Sequence, residues 1–213
     1  MRLFIPGPCG RLEAILWLPK VTSDLPAPRA AAIVCPPHPV AGGTLDNNVV
    51  FRIARGLQTA GLAALRFNFR GAGNSDGVHD GKGAEEEDAR AALDHLQRER
   101  PGIPLWAAGF SFGSRTVASL ARREPRIERL LLVALPCRAF DCSFIAELRT
   151  PAHLLMAGED QYGTLRDLRE RVPQLPGNVD VEEIEGVDHF FRGATPELER
   201  RVRSWAEGAL TLR

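Results

Sequence analysis

The sequence has no excess of charge of either sign: lysine plus arginine and aspartate plus glutamate number 27 each in 213 residues. A chain without a global field holds no general attraction for nucleic acid, an anionic membrane or a strongly charged substrate, so a small or neutral partner is expected. It also lacks a long hydrophobic run. Pro6, Gly7, Pro8, Gly10, Arg11 and Glu13 break up the first twenty residues and leave no apolar core for a signal peptide, and no later stretch approaches membrane-spanning length. Cysteine is scarce. Cys9, Cys35, Cys137 and Cys142 show no zinc-type pairing and Cys35 sits inside an apolar run, a pattern expected of reduced, mostly buried thiols in a cytoplasmic protein. Repeats, low-complexity tracts and an interdomain linker are absent too. The chain therefore reads as one α/β domain over 1–213, long enough to bury a core without metal or disulfide.

What is present is a regular alternation of strands and helices. Two short strands, Arg2 to Ile5 and Leu12 to Leu18, flank a Pro/Gly turn and suit an antiparallel edge. Ala30 to Cys35 is continuously apolar, as a strand covered on both faces must be. Val50, Ile53, Leu57 and Ala60 form a helical stripe ending at Gly61, followed by a strand from Leu62 to Phe67. Glu85 to Asp88 favour a helix start and Ala89, Ala92, Leu93 and Leu96 its buried face. Next come a strand ending at Phe110, a helix from Ser111 towards Arg123, and strands Leu130 to Leu135 and His153 to Ala157. Helices near 164–172 and 196–210 flank a last strand, Val179 to Ile184, with Thr195 as N-cap and Pro196 in the first turn. This alternation predicts a mostly parallel sheet between helical layers, with active groups at the carboxyl ends of the strands.

The chemistry concentrates at Gly109-Phe-Ser-Phe-Gly113, where an apolar strand gives way to a helix. A sharp strand-to-helix turn strains Ser111 and exposes its hydroxyl, and bulky residues at 109 and 113 would collide with neighbouring elements. A serine needs a base, and the base an orienting acid. Of the five histidines only His153 and His189 follow Ser111; His153 lies within an apolar strand, whereas His189 follows the last one and is chosen as base. The acid belongs just past Ala157, at Asp160, with Glu159 as competitor; Asp188 is too close to the base in sequence and Asp141 lies one strand early. Oxyanion donors are expected at the backbone amides of Phe112 and, on the loop after Ala30 to Cys35, Val40. His38 is assigned to shaping that loop. The segment 68–83 either borders the pocket or is a connection locked by Arg66, Asn68 and Arg70.

Four runs in order carry a resemblance: Cys35-Pro-Pro-His-Pro-Val-Ala-Gly-Gly-Thr-Leu-Asp-Asn-Asn-Val-Val, Leu65-Arg-Phe-Asn-Phe-Arg-Gly-Ala-Gly-Asn-Ser-Asp-Gly, Ala108-Gly-Phe-Ser-Phe-Gly and Asp188-His-Phe-Phe. Together they resemble the compact bacterial α/β-hydrolase family related to dienelactone hydrolases and small carboxylesterases, over nearly the whole chain. The resemblance implies an α/β-hydrolase fold and a Ser-Asp-His triad working without a cofactor on a small-molecule ester or thioester. By position it carries the nucleophile to Ser111, the base to His189 and the oxyanion donors to Val40 and Phe112. One departure stands out: similar proteins show Gly-x-x-Asp at the acid loop, and from Gly158 that spacing lands on Gln161. Only 136–150 separates two consecutive strands where lids usually enter, so no cap domain is expected, and Phe140, Phe144, Phe190 and Phe191 are candidates for an apolar wall. A catalytically silent binding protein on the same fold is the rival reading, and lactone or amide hydrolysis or acyl transfer would use the same groups. Monomer and homodimer are equally compatible with the sequence.

Overall fold

Strand β3 (Ala30–Cys35), its neighbours β4 (Leu62–Phe67) and β5 (Leu105–Phe110), and β7 (Ala152–Ala157) are buried along their whole length, because each is a mainly apolar run, interrupted only by Arg66 in β4 and His153 in β7, with helices on both faces. They belong to a computed structural model that describes residues 2–211 apart from 24, 26 and 82. The sheet is completed by β1 (Arg2–Gly7), β2 (Gly10–Trp17), β6 (Ile127–Val133) and β8 (Val179–Ile184), in the spatial order β1-β2-β4-β3-β5-β6-β7-β8. β1, β2 and β4 pair antiparallel, and every pairing from β4 to β8 is parallel. β8, with Val179, Val181 and Ile184 interspersed among acids, is the half-buried edge its composition requires.

Helices α1 (Asn48–Thr59) and α5 (Thr195–Thr211) cover one face; α2 (Glu85–Glu99), α3 (Phe112–Ala121) and α4 (Leu165–Arg171) cover the other. The two-residue period of β3 sorts its side chains accordingly: Ala31, Ile33 and Cys35 join the core under α2 and α3, while Ala30, Ala32 and Val34 join the core under α1 and α5. This is the expected mostly parallel sheet with an antiparallel N-terminal edge. Between β6 and β7 the described chain forms only a 3₁₀ turn, Ser143–Glu147, in place of a cap domain.

Expected boundaries move: β1 extends to Gly7 and β2 runs Gly10–Trp17, and larger changes fall at β6 and α5. β6 runs from Ile127 to Val133 rather than Leu130 to Leu135; its exposed or half-buried Glu128 and Arg129 hid the start, and Ala134, at φ 48°, bends out of the strand while its N–H donates to Leu155 O. Thr195 is the first residue of α5 and not its cap, since the carbonyl of Ala194 already accepts from the Leu198 N–H. The segment after β4 is the locked connection: Arg66 donates to Leu45 O, Asn68 accepts from the Leu45 N–H and donates to Glu13, and Arg70 forks onto buried Asp88. His153, hydrogen-bonded to Asp180 across the β7–β8 register and stacked on Trp205 of α5, is part of the sheet's packing.

Candidate active site

β5 ends against α3 with Ser111 between them at φ 55° and ψ −121°, a conformation that non-glycine residues adopt only when their surroundings impose it. The surroundings here are backbone. The Ser111 N–H donates to Val133 O at 2.9 Å, and the Ser111 carbonyl accepts from the N–H groups of Ser114 and Arg115 and from Ser114 Oγ. A Cβ on Gly109 would lie 2.3 Å from the carbonyl carbon of Gly113, and one on Gly113 2.4 Å from the carbonyl oxygens of Cys35 and Pro36. Both glycines are therefore required for β3, β5 and α3 to meet at this point, as the sequence suggested.

The loops after β7 and β8 bring the other two groups. His189 Nε2 lies 2.9 Å from Ser111 Oγ, and His189 Nδ1 lies 2.7 Å from Asp160 Oδ2. The second oxygen of Asp160 accepts from the Tyr162 N–H at 2.7 Å, which fixes the carboxylate plane. Asp160 and His189 are almost completely buried. Glu159 is turned outward, its N–H spent on Val187 O, so the acid loop is one residue shorter than the Gly-x-x-Asp spacing and presents Asp160 to the imidazole; Gln161 is exposed. Asp188 accepts from the N–H groups of Phe190 and Arg192 and holds its own turn. Asp141 takes the Ser143 N–H.

Three rings hold the imidazole in place: Tyr162 at 4.6 Å, Phe110 at 5.0 Å and Phe190 at 5.2 Å between centroids. Such a box leaves Nδ1 facing Asp160 and Nε2 facing the serine. The arrangement is able to carry a proton from the serine hydroxyl to the imidazole while a carboxylate stabilises the resulting cation.

Of the four candidate wall residues, Phe190 stands at the site and Phe191 is wholly in the core at φ 51°. Phe140 faces Phe112 and His38, while Phe144 packs from the 3₁₀ turn onto the core. The Phe112 N–H opens α3 and has no acceptor among the described residues, and the same holds for the Val40 N–H. Val40 itself is 73 % exposed on the 3₁₀ turn Pro39–Ala41, while His38, its cap, rests its ring 4.8 Å from that of Phe112. Burial, and then the neighbouring His79, hold the His38 imidazole below its usual pKa.

Tyr162 was not legible as part of the site. Its signal was available: an aspartate whose side chain accepts from the N–H two residues on is an Asx-turn, and Asp160-Gln-Tyr-Gly163 has that composition.

A serine–histidine–aspartate relay at the carboxyl edge of an eight-stranded sheet defines the class as the α/β-hydrolase fold. The family model described as serine aminopeptidase, S33, matches residues 39–141. The uncharacterized protein RP471 of Rickettsia prowazekii (strain Madrid E) is 34 % identical over 96 % of this chain and 87 % of its own. An alpha-beta serine hydrolase homologue from Coxiella burnetii superposes with a TM-score of 0.87 at 30 % identity, covering 96 % of both chains. The lidless α/β serine hydrolase XC6422 of Xanthomonas campestris gives 0.86 at 28 %, over 96 % of this chain and 92 % of that one. The chain belongs to the compact bacterial α/β serine hydrolases.

Proposed function

We propose that the protein hydrolyses carboxylic esters or thioesters of small to medium acyl groups through an acyl-enzyme. Ser111 Oγ attacks the acyl carbon as its proton passes to His189 Nε2; the carbonyl oxygen becomes an oxyanion, held by the amides of Phe112 and Val40. Collapse of that intermediate breaks the bond to the leaving group, which takes the proton from His189. Water then repeats the sequence on the acyl-serine, releasing the acid and restoring Ser111. Asp160 keeps the imidazole in the productive tautomer and stabilises its charged form. Every step uses a side chain or amide of this chain.

The observation that supports this reading is the unbroken chain of bonds from Asp160 through His189 to Ser111. The absence of a cap segment between β6 and β7 favours an open site for short and medium chains over the tunnel of a long-chain lipase. A fluorophosphonate probe tests it: covalent labelling of the native protein that disappears in Ser111→Ala is expected, whereas an unlabelled native protein would overturn the hydrolase reading and leave a binding protein in its place. A panel of oxygen esters, thioesters, lactones and amides of one acyl group then ranks the leaving groups.

A further inference from the structure

The relay accounts for one side of Ser111. Phe112, the residue after the serine, lines a cavity of about 320 Å³ together with His38, His79, Glu85, Arg115, Phe140, Gly81 and Gly83. None of these residues comes from the loops after β7 and β8 that carry the acid and the base. The leaving group must meet His189 to be protonated, so it departs on that side, beside Tyr162 and Phe190. The cavity is left for the acyl part.

Among the described residues, its one permanent cation is the guanidinium of Arg115. Arg115 stands four residues after Ser111 on α3, one helical turn further along the same face. Its Nε donates to Asp141 O at 3.2 Å and its guanidinium lies over the rings of Phe140 and Phe144, at 5.6 and 5.8 Å. Its two terminal nitrogens have no acceptor among the described residues, and a guanidinium held by stacking with that end free is prepared for a two-oxygen ligand. His79 has Nδ1 on Glu85 Oε1 at 2.5 Å, which leaves Nε2 as the ring nitrogen open to a ligand. Glu85 offers the cavity little: it is wholly buried, one oxygen holds His79, and the other is sealed from solvent without a partner. An unpaired buried carboxylate oxygen is costly to keep, and orienting His79 gives it a use. Of the acids in the flanking loops, Asp141 accepts from the Ser143 N–H, and Asp80, between His79 and Gly81, is exposed. The walls are the rings of Phe112, Phe140 and His38, 4.8 to 6.4 Å apart.

We propose that this cavity is a subsite for a carboxylate on the acyl group, so that the preferred substrates are half-esters or half-thioesters of short dicarboxylic acids, with Arg115 binding the free acid and His79 beside it. The inference rests on the serine hydrolase reading above and adds the acyl class to it. A half-buried guanidinium pairing with an anion discriminates against the uncharged analogue by about tenfold.

The test compares p-nitrophenyl esters of equal length, the half-ester of glutaric acid against the valerate, in the native protein, Arg115→Leu and Arg115→Lys. The native protein is expected to favour the half-ester in kcat/KM by about tenfold, with the preference falling as salt rises. Arg115→Leu brings the ratio to about one through loss on the half-ester, and Arg115→Lys retains part of it. In Ser111→Ala, glutarate half-ester binding raises the melting temperature and the valerate does not. Native turnover of the valerate at least equal to that of the half-ester would overturn the subsite while leaving the hydrolase intact; so would an unchanged ratio in Arg115→Leu. Loss of fluorophosphonate labelling together with all ester turnover would instead overturn the reading on which it rests.

Discussion

Replacing Asp160 by asparagine isolates what the carboxylate does, because the geometry dictates how the new amide must turn. Asp160 uses both oxygens: one accepts from the Tyr162 N–H and the other faces His189 Nδ1, each at 2.7 Å. The Tyr162 N–H needs an acceptor, so the amide oxygen of asparagine takes that place and the NH₂ group is left against His189. A donor opposite Nδ1 forces the proton to Nε2, and Nε2 then confronts the Ser111 hydroxyl at 2.9 Å as a donor instead of a base. The imidazolium also loses the counter-charge of a carboxylate that, like the imidazole itself, is almost completely buried. Reversal of a histidine tautomer in such a relay costs about 10⁴-fold in kcat, on the order of 5 kcal/mol of transition-state stabilisation. Steady-state turnover of p-nitrophenyl butyrate by the native protein and Asp160→Asn measures it. Thermal melts of both confirm that the isosteric change leaves the fold in place. A variant that keeps more than a tenth of native kcat would refute the argument and return the acid role to another group, Glu159 first.

Gly113→Ala presses a methyl group onto two backbone oxygens at 2.4 Å, neither of which is able to swing aside. We expect a loss of about 3 kcal/mol and a melting temperature lower by about 6–12 °C, read by calorimetry; an unchanged melt would mean that the elbow relaxes freely. At low pH, Asp167 gives a second handle. Burial disfavours its charge, but the Thr164 hydroxyl and N–H and the Arg138 guanidinium outweigh that and hold the carboxyl down at about 2. A depressed carboxyl contributes stability above its unfolded pKa of about 3.9 and loses it as pH falls towards 2. Asp167→Asn should thus cost about 1–2 kcal/mol at pH 7 and nearly nothing at pH 2, in urea melts at the two pH values; an equal cost at both would refute the assignment. Among the thiols, Cys9 is exposed while Cys35, Cys137 and Cys142 are buried, with burial pushing Cys137 to about 11 and Cys142 to about 12. Ellman's reagent should titrate one thiol in the native protein and all four in guanidinium; rapid reaction of a second would contradict the packing.

The central strands, the crossover helices and the glycine-flanked serine were legible in the sequence because each is a local pattern. Ala30 to Cys35 is a continuous apolar run, Leu62 to Phe67 is one broken only by Arg66, and Gly109 and Gly113 are the residues a tight strand-to-helix turn demands. His189 was reached by chain order alone. Where the local pattern is mixed, as at Glu128 and Arg129 in β6, the strand's start was not visible.

The choice between Asp160 and Glu159 was beyond the sequence. Adjacent residues point in different directions, and which one meets an imidazole 29 positions away depends on how the β7 and β8 loops pack. The same is true of the cavity beside Phe112. His38, His79, Glu85, Arg115 and Phe140 come from four separate segments, and each reads alone as a loop histidine, a helix start or a surface arginine. The sequence by itself determined the alternation of elements and the strained serine, since these follow from side-chain period and backbone sterics. Only the tertiary structure decided which acid faces the base and which side chains gather around the cavity beside Phe112, because those choices are made by contacts between residues far apart in the chain.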